Sequence, residues 1–120
     1  MTQAEKQALC RAGLQVDEAL ERLMGSEDLL RRLLTRFLSD PSYPSLVRAL
    51  SDGEQTAAFR FAHTLKGVCG NLSMTELGGL VSQQVEFLRS AGGLEDAREL
   101  MPAIEAAYSR LCVAIQDYVA

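Results

Sequence analysis

The sequence predicts an all-α protein, an up-and-down antiparallel four-helix bundle with short extra helices at its N-terminus. Three observations predict it. Apolar residues recur at helical spacing along nearly the whole chain, and nothing alternates with period two for long. Glycines, prolines and capping residues cut that pattern into segments of helical length. The links between segments are short, which makes neighbouring helices antiparallel. At 120 residues, with 48% hydrophobic and 23% charged residues, the chain is sized for one globular domain with a core. Residues 1–25 are expected to cap the bundle, and residues 26–119 to form it.

Each element has its own signals. Thr2 and Glu5 have the spacing of a capping box for a short first helix that ends near Gly13. Asp17 is placed to cap a second, which Gly25 closes. Ser26 starts a stronger helix, in which Leu30, Leu33, Leu34, Phe37 and Leu38 form one stripe. Asp40-Pro41 interrupts it, because proline has no amide hydrogen to donate. The next helix runs from about Pro44 to Asp52 and ends at Gly53. A longer one, about Glu54 to Leu72, presents Ala58, Phe61, Ala62, Leu65, Val68, Cys69 and Leu72 as its apolar face. Thr75 suits the cap of the following helix, which turns Leu77, Leu80, Val81, Val85 and Leu88 inward and reaches about Ala91, before Gly92-Gly93. The last segment, Leu94 to Val119, carries Ile104, Tyr108, Leu111, Ile115 and Tyr118. Pro102 inside it either kinks one helix or begins a second.

Composition excludes several functions. The net charge of −4, with no basic cluster, argues against a nucleic-acid partner. No apolar run approaches the ~20 residues of a membrane span. Met1 is followed by polar and charged residues rather than a secretory leader, so a cytoplasmic location is expected. Cys10, Cys69 and Cys112 share no metal-ligand spacing and read as reduced thiols; with a single histidine, no metal site is expected. No phosphate loop, Gly-rich nucleotide fingerprint or Ser/His/Asp order is present, so no cofactor and no autonomous kinase activity are expected. No long heptad array calls for a dimer, and a monomer is expected.

The chemistry converges on Ala58–Leu72. His63 is the one histidine of the chain, and Gly67 and Gly70 follow it at spacings of four and seven, on its own side of the helix. Each glycine costs about 1 kcal/mol relative to alanine in a helix interior. Arg60, His63, Lys66, Gly67 and Gly70 lie away from the apolar stripe, so the imidazole is expected in solvent on a rigid scaffold. Histidine changes charge near neutral pH, and its neutral ring is a nucleophile. Lys66, one turn on, is placed to neutralise an anion at the ring. The glycines lower the surface for an approaching protein, and Arg60 is assigned to the same partner-binding face. A bare imidazole beside a cation on a convex face suits a phosphoryl group delivered by another protein rather than a small substrate in a pocket. Gln84 falls on the inward face of its helix, and its amide is a candidate to hydrogen-bond the imidazole or a phosphoryl oxygen. A register shift of one residue would give that place to Gln83.

The stretch AHTLKGVCGNL resembles the A-H-x-L-K-G-x-x-G signature of histidine-containing phosphotransfer (HPt) domains, and the resemblance runs from about Val16 to Tyr118 in helix order and length. It implies a four-helix bundle that relays phosphoryl groups between receiver domains in two-component phosphorelays. His63 would be the phosphorylated residue, Lys66 the lysine supporting the phosphoryl group, and Gly67 and Gly70 the clearance positions. Mg²⁺ would enter only through the receiver, and a sensor histidine kinase would act indirectly. The family often has a further glycine ten residues after the histidine. Here that position is Ser73, near the helix end, where a changed turn is expected. The alternative is a non-catalytic helical module that binds receivers without taking phosphate.

Overall fold

Eight helices and no strands make up the computed structural model, which describes residues 1–120. Helix α1 (Gln3–Arg11) begins at the capping box: the Thr2 N–H donates to Glu5 Oε1 (2.7 Å), and the Glu5 N–H donates to Thr2 Oγ1 (3.1 Å). Helix α2 (Val16–Arg22) starts earlier than an Asp17 cap would allow. Gln15 is its N-cap and makes no side-chain bond there, while Asp17 lies in the first turn and pairs with Lys6 at 2.7 Å. Helix α3 (Glu27–Leu38) is capped as expected, with Ser26 Oγ accepting from the Leu29 N–H. Helix α4 (Ser42–Ser51) begins two residues before Pro44, which a first turn tolerates because its N–H has no intrahelical partner. Asp40 Oδ1 accepts from the Ser42 N–H at 2.8 Å and anchors that start.

Helix α5 (Gln55–Asn71) matches its expected span. Helix α6 (Thr75–Arg89) has Met74, not Thr75, at its N-cap, and it stops at Arg89. Thr75 is occupied elsewhere: its N–H donates to Gly13 O (3.0 Å), and its hydroxyl accepts from Gln15 Nε2 (3.2 Å). Pro102 starts a helix. The final segment divides into α7 (Leu94–Glu99) and α8 (Met101–Val119), with the proline in the first turn of α8.

The bundle is assembled around α5, α6 and α8. Helix α5 packs between α4 and α6, and α8 lies against α3, α6 and α1. Two cross-helix pairs fix the antiparallel register of α5 and α6: Gly78 faces Cys69 near one end, and Arg89 lies over the Phe59 ring near the other. The expected stripes are largely the core. Leu30, Leu34 and Phe37 of α3, Ala58, Ala62, Leu65 and Cys69 of α5, and Leu77, Val81, Val85 and Leu88 of α6 are buried. Leu33, Phe61, Val68, Leu80 and Tyr108 sit at the flanks, half-buried against it. Each fully buried leucine contributes about 1.5–3 kcal/mol.

The first two helices share this core through Leu9, Ala12, Leu14, Val16 and Ala19. Their link runs beside the α5–α6 turn, where Leu14 and Met74 form an isolated antiparallel bridge and the Gln15 N–H donates to Ser73 O (2.9 Å). Gly13 makes the approach possible. It holds φ +96, and a Cβ there would come within 2.7 Å of Glu76 Cβ.

Candidate functional site

Helix α5 has two unlike faces. Inward it is buried along its length, and outward it exposes Arg60, His63, Gly67 and Gly70, with Lys66 half-buried between the two. The five residues singled out on this helix therefore share one surface. The imidazole stands clear of the backbone on a helix whose ladder fixes its base. Its ordered neighbour is the Phe59 ring one turn earlier, edge-on at a centroid distance of 6.0 Å. Phe59 is itself covered by the Arg89 guanidinium, 5.2 Å from the ring centroid, and Arg89 is paired with Glu86 at 3.2 Å. One wall beside His63 is thus an aromatic ring braced by a charge pair from α6. That wall escaped the sequence reading. The spacing of four between Phe59 and His63 was visible, but the α6 contribution depends on the register between two helices.

The glycines have no packing duty. A Cβ built at Gly67 or Gly70 would meet no atom within 4 Å, so neither position brings two helices together. Close packing of α5 on α6 is carried instead by Gly78, where a Cβ would sit 3.2 Å from Cys69 Cβ. The space over Gly67 and Gly70 is open to solvent along the line that leads from the imidazole toward the end of α5.

Lys66 opens onto a cleft of about 310 Å³ between α5, the start of α6 and the end of α2. Gly70, Gly79 and Ser82 line it together with Arg22 and Glu18 of α2. Arg22 is a second cation near Lys66 that sequence spacing could not have placed there. The departure at Ser73 is also explained. Ser73 holds φ +55, the left-handed region that favours glycine, and is buried at 2% exposure. Its hydroxyl donates to Glu18 Oε1 at 3.0 Å, so the serine ties the turn to α2.

Gln84 does not lie with His63. It is fully buried, and its amide nitrogen donates to Ala97 O at 2.9 Å and approaches Met101 Sδ at 3.2 Å, while Oε1 has no partner. The expectation of a hydrogen bond to the imidazole is corrected for this structure: the inward face of α6 at Gln84 looks onto α7 and α8, not onto the outer face of α5. Gln83 is exposed on α6.

The bundle thus displays one histidine on the outer face of α5, with a lysine one turn on and two open glycines on the same side. The model of the Hpt domain family matches residues 26–114, and the chain belongs to that family. No curated protein and no solved structure gives a match. Membership carries a general role: phosphotransfer through a histidine in phosphorelays, with receiver domains as interaction partners. No helix is long and apolar enough to cross a membrane.

Proposed function

We propose that His63 accepts a phosphoryl group from the aspartyl phosphate of a receiver domain and passes it to the aspartate of another. A ring nitrogen attacks phosphorus in line, the N–P bond forms, and the P–O bond to the aspartyl carboxylate breaks. The carboxylate leaves with the electron pair. Lys66 offsets charge on the equatorial oxygens, and the same steps run in reverse toward the second receiver. The divalent cation of the reaction, Mg²⁺, is held by the receiver. Arg60, Gly67 and Gly70 form the surface over which the receiver settles. The first two helices act with the bundle as one unit, a reading supported by their shared core.

The observation that carries this reading is the open approach to His63. The imidazole is exposed on a helix, and the two glycines behind it leave space rather than filling a helix interface. Proximity is what such a scaffold supplies, since the reacting phosphorus arrives already activated on its own protein. The test is transfer from phosphorylated receiver domains to the purified chain. The expected product is a label lost in acid and kept in base, as befits a phosphoramidate. Labelling by ATP with no partner present, or an acid-stable label, would overturn the reading.

A further inference from the structure

The strip His63–Gly67–Gly70 leads to a wall supplied by α2, which precedes the stretch matched to the family. At 1.5 Å per residue, Gly70 lies about 10 Å along the axis from His63. A protein resting on that strip therefore reaches the cleft that Arg22 and Lys66 line together. Helix α2 is fixed there by three contacts: the Leu14–Met74 bridge, the Gln15 N–H donating to Ser73 O, and the Ser73 hydroxyl donating to Glu18 Oε1. Arg22 pairs with that same Glu18 oxygen at 3.4 Å, and both side chains are 51% exposed. So loose and solvated a pair contributes little, and its guanidinium is free to exchange one carboxylate for another.

Resting on the carrier reading above, we propose that Arg22 is a specificity-determining residue, which α2 presents to an acidic group of the receiver while that receiver's phosphoryl group is aligned on His63. Charge complementarity selects this occupant. The chain has a net charge of −4, and a donor surface bearing an aspartyl phosphate is itself negative, so approach requires local cations. Lys66 is the cation beside the imidazole, and Arg22 is the cation at the far end of the open strip. A guanidinium suits the second place because its planar fork binds a carboxylate in a defined orientation. Ser73 has a part in this. By taking the turn conformation that favours glycine and bonding Glu18, it fastens the first turn of α2, one turn before Arg22.

The test measures transfer from a phosphorylated receiver as a function of receiver concentration, at low and high salt, for the full chain and for R22A, R22E, R22K and E18Q. For R22A the expected result is a KM raised about tenfold with the saturating rate held within about twofold, because a peripheral charge acts on encounter and docking. R22E should be worse, R22K should recover part of the loss, and the salt dependence should flatten in R22A. E18Q frees the guanidinium from its internal carboxylate and should leave KM unchanged or lower it. Equal rises in KM for R22A and E18Q would mean that the pair only holds α2 together, which overturns the proposal. A KM unmoved in R22E also overturns it while the carrier reading stands. A wild-type chain that no receiver labels removes the carrier reading and this inference with it.

Discussion

Along α5 the inward side carries Ala58, Ala62, Leu65 and Cys69, all buried, and the outward side carries Arg60, His63, Gly67 and Gly70, all exposed. Both sides are built on the same backbone, and both include small residues. Their small residues mean different things. Ala58 and Ala62 are fully buried on a helix packed between α4 and α6, while a Cβ at Gly67 or Gly70 would meet no neighbouring element. No internal neighbour requires the smallness of the outer pair, and the proposed function gives that space to a docking receiver. It follows that damage to the inner face should be read in stability, and damage to the outer face in transfer.

The sharpest separation comes from one substitution on each side. His63→Gln keeps a polar side chain of similar reach but has no ring nitrogen to phosphorylate. Labelling from any receiver should vanish, while helicity and melting temperature stay near wild type; circular dichroism checks the second half. Residual transfer in that variant would place the reacting nitrogen elsewhere. Leu65→Ala, at 1% exposure, should do the opposite. It opens a cavity and costs about 2–5 kcal/mol, read by denaturant unfolding, while the transfer rate per folded molecule changes little. A Leu65→Ala protein of full stability would show that the inner face is not the core it looks to be.

Much of this division was legible in the sequence. Period alone separated Ala58, Leu65 and Cys69 from His63 and the glycines, since a helix fixes the angle between its own residues. The capping box at Thr2 and Glu5 and the Ser26 cap were legible for the same reason, each being local to one turn. Relations between elements were less so. Thr75 looked like a cap, but Gly13 and Gln15 of a distant link claim its polar groups. Gln84 looked like a partner for His63, yet its position on the inner face of α6 turns it to Ala97. The Phe59–Arg89–Glu86 wall and the entry of Arg22 into the cleft beside Lys66 depend on register and on tertiary hydrogen bonds. Neither leaves a periodic trace.

A smaller effect tests what the glycines are for. Gly67→Ala adds a methyl group to open space and removes a flexible residue from a helix, so it should stabilise by about 1 kcal/mol. Melting should rise by a few degrees. Gly78→Ala has the same propensity gain but puts its Cβ 3.2 Å from Cys69 Cβ, so α5 and α6 must yield and the gain should be lost. Transfer should order the two the other way: Gly67→Leu should slow it, and Gly78→Ala should leave it alone in the folded fraction. Equal melting shifts for Gly67→Ala and Gly78→Ala would show that the α5–α6 contact is looser than the structure has it. A Gly67→Leu chain that transfers at the wild-type rate would end the clearance argument.

The mildest probe of the inner face needs no substitution at first. Burial pushes the Cys69 thiol up from 9.0 to about 12, with a minor contribution from Asp40 in the same direction. Burial likewise raises Tyr43, Tyr108, Cys112 and Tyr118. In each case the folded chain holds its proton to a higher pH than the unfolded chain does. Between the two values the native state binds more protons, so stability falls as pH rises. For Cys69 the contribution is fully present below about pH 9 and is lost progressively toward pH 12. Melting temperature should therefore decline through the alkaline range. Cys69→Ala should make that decline shallower without removing it, because the tyrosines and Cys112 keep their share. Cys10, exposed on α1, supplies the contrast: a thiol reagent should modify Cys10 well before Cys69. If Cys69→Ala leaves the slope untouched, the inner face of α5 is open enough for the thiolate to be solvated, and the contrast between the two sides of the helix is weaker than their burial implies.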